Sequence, residues 1–244
     1  MSGWLAIAGL GPGDAALITP EVSAALAGAT DVLGYTPYVA RVAAREGLNL
    51  HASDNREELA RARHALRLAA GGRKAVIVSS GDPGVFAMAA AVFEVLEEQP
   101  EWAAVEVQVL PGITAMLAAA AKAGAPLGHD FCAINLSENL KPWAVIEKRL
   151  RLAAAADFAM AFYNPRSKAR PEGFGKTLAI LQEVCEAERL VVFARAVSTP
   201  EETIRIVALA EALPEMADMQ TIVLVGNSQT RKAGRFVYTP RAAS

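Results

Sequence analysis

The chain has 244 residues, a formal net charge of −2 and 53% hydrophobic residues. That length allows one large domain or two of ordinary size, and the apolar content excludes a disordered chain. The near-neutral charge excludes a globally basic nucleic-acid surface, and no apolar stretch approaches the roughly 20 residues of a membrane span.

Residues 4–8 form an apolar run short enough for a buried strand. The turn Gly9-Leu10-Gly11-Pro12-Gly13-Asp14 follows. Glycines at alternate positions let a backbone bend sharply and approach a ligand closely. The dinucleotide fingerprint needs a further glycine where Asp14 stands, so the turn binds something other than a dinucleotide. Thr19 is placed to cap a helix with Pro20 at its first position, running to about Ala29. Residues 30–33 predict a strand, 34–38 a loop and 48–52 a short strand. Asp54 and Glu57 have capping-box spacing before a helix that reaches Ala70, and Gly71-Gly72 ends it. A strand over 74–78, a loop over 79–84, a helix over 85–98 and a strand over 105–110 complete this half. The alternation predicts a mostly parallel, doubly wound sheet, with ligands outside the carboxyl ends of its strands. The loops after Gly9, Ser79 and Leu110 should then share one edge.

The second half has helices over 114–122, 143–155 and 173–187. Strands are predicted over 131–136, 158–163, 190–194, 203–209, 221–225 and 236–238. Closely spaced strands with few helices between them predict a mixed sheet with antiparallel pairs. The expected architecture is two α/β domains, residues 1–111 and 112–244, with a cleft between them.

Four stretches carry candidate chemistry. In Ser79-Ser80-Gly81-Asp82-Pro83-Gly84, Pro83 pushes Asp82 into an extended conformation at a strand end. Its carboxylate either accepts bonds from a ligand or caps the loop. Leu110-Pro111-Gly112-Ile113-Thr114-Ala115 leaves room for a flat ligand, or is a plain domain junction. Phe162-Tyr163-Asn164-Pro165-Arg166-Ser167-Lys168-Ala169-Arg170 places three cations within five residues, either a solvated run or a clamp for carboxylates. Thr221 to Gly226 is a buried strand opening into the polar run Asn227 to Arg231. Other signals fail. Gly175-Lys176-Thr177 lacks the earlier glycine of a phosphate loop, and the three histidines show no metal spacing, so no metal is expected. Cys132 and Cys185 lie far apart in apolar segments, as buried thiols of a reducing cytosol would. No secretory leader is evident, and a cytoplasmic location is expected.

Each motif is weak alone, but their order and spacing together resemble the tetrapyrrole methylases. The carriers are Gly-Leu-Gly-Pro-Gly-Asp, Ser-Gly-Asp-Pro-Gly-Val, Pro-Gly-Ile-Thr-Ala and Phe-Tyr-Asn-Pro-Arg-Ser. Three less general stretches are similar to the branch acting at C17 of a precorrin. They are Gly34 to Val39, Asp130 to Ser137, and Tyr163 to Arg170 with Val225 to Thr230. A sister methylase acting at another carbon or on a cobalt-containing substrate stays open, as does, more distantly, a non-catalytic nucleotide-binding protein. The resemblance implies a homodimer using S-adenosylmethionine and releasing S-adenosylhomocysteine, with the cofactor folded between the domains. Carried over by motif, its contacts are Pro12, Ser80, Gly81, Asp82, Val85, Thr114, Ala115, Tyr163, Asn164, Ala196 and Thr221. Relatives often carry an Asn-Ala-Gly-Arg type loop where this chain reads Arg195-Ala196-Val197-Ser198.

The implied substrate is a carboxylate-rich tetrapyrrole. Arg166, Lys168 and Arg170, joined by Arg41, are expected to meet its carboxylates, with Gly11 and Gly13 giving close approach. Methyl transfer to carbon needs alignment more than a strong base. The ring contraction implied for this branch needs a proton relay. Asp14 is the candidate, with Tyr35 and Ser137 behind it; the competing reading of Asp14 is a cap on the next turn.

Overall fold

The computed structural model describes residues 3–242, and the chain divides into two compact units between Thr114 and Ala115.

The first unit has strands β1 (Trp4–Gly9), β2 (Asp31–Tyr35), β3 (Asn49–Ser53), β4 (Lys74–Ser79) and β5 (Glu106–Leu110). They lie in the order β3-β2-β4-β1-β5, and every neighbouring pair is parallel. Alternate residues of a strand face opposite sides of the sheet. Leu5 and Ile7 of β1 therefore pack with Leu66, Val92 and Val95 of helices α3 (Glu58–Ala70) and α4 (Met88–Glu98). Ala6 and Ala8 pack on the other side with Val22 of α1 (Pro20–Gly28), beside Val32 and Val76. Burial on both faces is why β1, β2 and β4 read as apolar runs, while the edge strands β3 and β5 are largely exposed. Thr19 caps α1 as its sequence implies, its Oγ1 accepting from Val22 N at 3.2 Å, with Pro20 first in the helix.

Three local expectations fail. The predicted loop 34–38 is instead the end of β2 and a one-turn helix α2 (Thr36–Val39), which Pro37 favours by presetting its φ in the first turn. The Asp54–Glu57 capping box does not form. Asp54 Oδ1 accepts from its neighbour Asn55 N at 2.6 Å, and Glu57 caps α3 with backbone only. Helix α4 starts three residues late because Phe86 adopts a left-handed φ of +53°.

The second unit carries α5 (Ala115–Ala123), β6 (Gly124–Ala125), β7 (Phe131–Asn135), α6 (Trp143–Ala155), β8 (Ala159–Tyr163) and α7 (Gly173–Val184). After these come β9 (Leu190–Arg195), β10 (Thr203–Ala208), β11 (Thr221–Val225), β12 (Arg231–Ala233) and β13 (Phe236–Tyr238). Its main sheet runs β10-β9-β11-β8-β7, with β7–β8 parallel and the other pairs antiparallel. Phe162, Phe174, Met160, Ile146, Leu150 and Phe193 centre its core. Each such side chain contributes roughly 1.5–3 kcal/mol by leaving water. The small residues of α5 are buried at Ala118, Ala119, Ala120 and Ala123, and the helix packs on β11. A small sheet β12-β13-β6 was not foreseen, its outer strands being two and three residues long. Cys132 and Cys185 are free and half-buried rather than fully buried, and burial pushes both thiols up.

Candidate active site

Adjacent parallel strands β4, β1 and β5 bring the loops after Gly9, Ser79 and Leu110 to one edge of the first sheet. Gly11 N donates to Gly81 O at 3.2 Å and Gly81 N to Gly11 O at 3.0 Å, with Gly11 at φ +66°. A Cβ on Gly112 would lie 2.2 Å from Gly81 O, and one on Gly9 2.5 Å from the same oxygen. The expectation that the glycines of this turn make room for a substrate is corrected at Gly9. Its missing side chain lets three loop backbones pack on one another.

The charged groups of this edge are spent on the same task. Asp82 Oδ1 accepts from Gly84 N at 2.8 Å and Oδ2 from Gly112 N at 3.1 Å, tying the β4 loop to the β5 loop. Arg41, expected on substrate carboxylates, instead donates to the carbonyls of Leu10 (2.5 Å), Gly11 (3.1 Å) and Gly13 (3.1 Å). Burial pushes its pKa down. One guanidinium thus fixes the whole opening turn, because its fork of donors matches convergent carbonyl oxygens. Asp14 is exposed and caps a 3₁₀ turn over Ala15–Leu17, Oδ1 accepting from Ala16 N at 2.8 Å. Tyr35 ends β2 with its ring edge-on to Tyr38 at 5.3 Å, and burial raises the Tyr38 hydroxyl. Pro12, Ser80 and Val85 are half-buried, while Gly81 and Thr114 are buried.

The second unit gathers its candidates on one edge of its own sheet. Register pairs Asn135 with Tyr163 and Thr221 with Arg195, so the ends of β7, β8 and β9 meet the start of β11. Ser137, Tyr163, Asn164, Ala196 and Thr221 all lie there. Tyr163 Oη accepts from Met116 N at 3.2 Å, next to Ala115 in the first turn of α5, where amides have no helical partner. Asn164 holds φ +52° and donates to Asn135 Oδ1 at 3.1 Å; the same oxygen takes Ser137 N at 2.9 Å. Asn135 was missed, although it is the one polar residue ending an apolar strand. Ala196 and Ser198 hold φ of +48° and +64°, and Ala196 N donates to Gln220 O at 2.9 Å. Thr221 is buried, its hydroxyl donating to Asp218 Oδ1 at 2.8 Å and accepting from Asp218 N at 3.1 Å. Its hydroxyl hydrogen is thus already committed, leaving one lone pair and the backbone for a ligand. Burial alone would raise Asp218, but hydrogen bonds from Arg195 and Thr221 bring its carboxyl below the usual range.

Of the expected substrate cations, Arg166 donates to Pro171 O at 3.4 Å, Arg170 reaches Leu136 O at 3.5 Å, and Lys168 is exposed. None of the three enters an ion pair among the described residues. Among the described residues, four of the five non-glycine residues at left-handed φ, Phe86, Asn164, Ala196 and Ser198, follow strand ends at these edges. Such strain survives where the surrounding structure over-determines it. Elsewhere, His51 and His64 meet edge to face at 4.9 Å, and His51 Nε2 sits 2.9 Å from Asp31 Oδ1, a pairing their sequence spacing hides.

A parallel sheet with its loops gathered at the carboxyl edge, followed by a mixed sheet, defines a two-unit α/β protein. The chain belongs to the tetrapyrrole (corrin/porphyrin) methylases, whose family profile matches residues 5–213, and it is a methyltransferase. It is 53% identical over 247 residues to a precorrin-3B C(17)-methyltransferase of Sinorhizobium, covering 99% of this chain and 97% of that one. A crystal structure of the methyltransferase CobJ superposes with a TM-score of 0.97 at 68% identity, covering 98% of this chain and all of that one. A cobalt-factor III methyltransferase of Priestia megaterium is 36% identical over 99% of this chain, which spans 45% of that longer protein.

Proposed function

We propose that this chain is a precorrin-3B C17-methyltransferase of cobalamin biosynthesis. It transfers a methyl group from S-adenosylmethionine to C17 of precorrin-3B and promotes ring contraction to precorrin-4. The observation that carries the reading is the 53% identity to a relative of that name, with both chains covered almost end to end. A homodimer in the cytoplasm is part of the same reading.

S-adenosylmethionine supplies an electrophilic methyl on a sulfonium. The chemistry of the first edge suits it. Among Pro12, Ser80, Gly81, Asp82, Val85 and Thr114 the one charge is a carboxylate, and Arg41 is occupied by carbonyls. A polyphosphate would want cations there; a sulfonium and an ammonium do not. These six residues are proposed as cofactor contacts on the first edge, and Ala115, Tyr163, Asn164, Ala196 and Thr221 on the second. Arg41 and Asp82 hold their loops before any ligand arrives. That is what alignment-limited methyl transfer asks of a protein. Gly11 and Gly13 keep the place proposed for them, near the substrate, as backbone. Proton handling for ring contraction is assigned to Asp14, Tyr35 or Ser137. A carboxylate whose Oδ1 caps a turn has a second oxygen with which to take a proton.

The test is incubation with S-adenosylmethionine and precorrin-3B, followed by mass and absorption spectra. A methylated, contracted product is expected, and a product lacking the new methyl overturns the reading. The 36% relative that acts on cobalt-factor III motivates a parallel run on the cobalt-containing substrate. Higher kcat/KM there would move the assignment to that substrate.

A further inference from the structure

The whole chain carries −2, yet residues 137–176 hold eight lysines and arginines against four carboxylates. Part of this excess converges on the loop after β7. Lys141 Nζ donates to Ser137 O at 3.3 Å, and Arg170 Nη1 reaches the preceding carbonyl, Leu136 O, at 3.5 Å. Two cations from separate loops are thus held at consecutive carbonyls on the edge of the second sheet. Lys141 is half-buried, and neither cation has an ion-pair partner among the described residues. A single carbonyl satisfies one donor of an ammonium that has three, and one of five in a guanidinium.

We propose that Lys141 and Arg170 form a paired seat for a carboxylate arm of the tetrapyrrole, with Lys141 as a specificity-determining residue that motif reading passes over. The inference rests on the tetrapyrrole-methylating reading above. A carboxylate spans two oxygens and can take one cation on each. Burial, then the like charges of Arg149 on α6 and Arg170 on the loop after β8, lower the Lys141 pKa. An incoming carboxylate relieves that repulsion.

The experiment compares wild type, Lys141→Gln, Lys141→Arg and the exposed control Lys232→Gln in steady-state methylation of precorrin-3B across pH. Lys141→Gln should raise the substrate KM about tenfold, the loss of one charge-assisted bond, with kcat and the S-adenosylmethionine KM held within twofold. In wild type the substrate KM should climb as pH rises and Lys141 loses its proton, below the ordinary lysine range. Lys141→Arg should keep the low KM and lose that alkaline climb, because guanidinium stays charged. Lys232→Gln should match wild type. A Lys141→Gln substrate KM within twofold of wild type, or an alkaline climb that persists in Lys141→Arg, overturns the seat. Absence of methylation by wild type itself would instead overturn the functional reading.

Discussion

The two candidate edges are built on opposite plans. On the first, ionised side chains are turned inward on the protein's own backbone: Arg41 on three carbonyls, Asp82 on two amides, Asp14 on one. On the second, left-handed residues at Asn164, Ala196 and Ser198 hold the loops, and Arg166, Lys168 and Arg170 have no carboxylate partner among the described residues, whereas Arg195 is paired with Asp218. On the proposed reading, the stitched first edge suits the cofactor, and the three cations of the second edge without carboxylate partners suit the carboxylates of the substrate. The difference teaches that a charged residue in a loop says little about ligands until its own backbone has been counted as a partner.

The largest effect should come from filling the space on which the first edge depends. Gly112→Ala puts a Cβ 2.2 Å from the Gly81 carbonyl, which only a backbone shift can relieve. The expected cost is about 3 kcal/mol or more, seen as a fall of roughly 6–12 °C in thermal unfolding. Gly173→Ala is the control. Nothing lies within 4 Å of a Cβ there, and the residue opens α7, so alanine should be neutral or stabilising by about 0.5–1 kcal/mol. Equal losses from both would mean that the first edge has no special packing.

Arg41 comes next and bears most directly on the comparison. Arg41→Ala should cost about 2–3 kcal/mol as three carbonyls lose a charged donor and regain only water. The kcat should fall with the melting temperature, while substrate KM stays within about threefold, since the guanidinium meets the turn. If the melting temperature holds and substrate KM alone rises, Arg41 belongs with the substrate cations after all.

Much of the fold was legible because its strands are buried. Continuous runs such as 74–78 and 221–225 have no other use, and Thr19-Pro20 announces a helix start through chemistry that is local. What stayed hidden is long-range partnering. Arg41 lies some 30 residues from the carbonyls it serves, so its charge read as ligand-facing. Asp82 was weighed as ligand or cap; it caps its loop and also reaches Gly112, a link only strand order reveals. Lys141 was passed over because a lone lysine before a helix is unremarkable until Arg170 is folded beside it. Strands β6 and β12 are too short to carry a period of their own.

The smallest effect concerns strain on the second edge. Ala196 stands at φ +48°, where an L side chain costs about 1–2 kcal/mol. Glycine removes that cost but gives back about 0.5–1 kcal/mol in unfolded-chain freedom. Ala196→Gly should therefore leave stability level or raise the melting temperature by up to about 6 °C. The loop is also held by Ala196 N on Gln220 O and by Thr199 Oγ1 on Ala196 O, and glycine keeps both bonds. A change in activity would then report loop mobility rather than lost contacts. If the second edge uses a stiff strained loop to present its backbone to the cofactor, the S-adenosylmethionine KM should rise severalfold with no loss of stability. An unchanged KM would make the strain at Ala196 a by-product of the tight turn between β9 and Thr199, and would leave the cations as the feature that sets this edge apart.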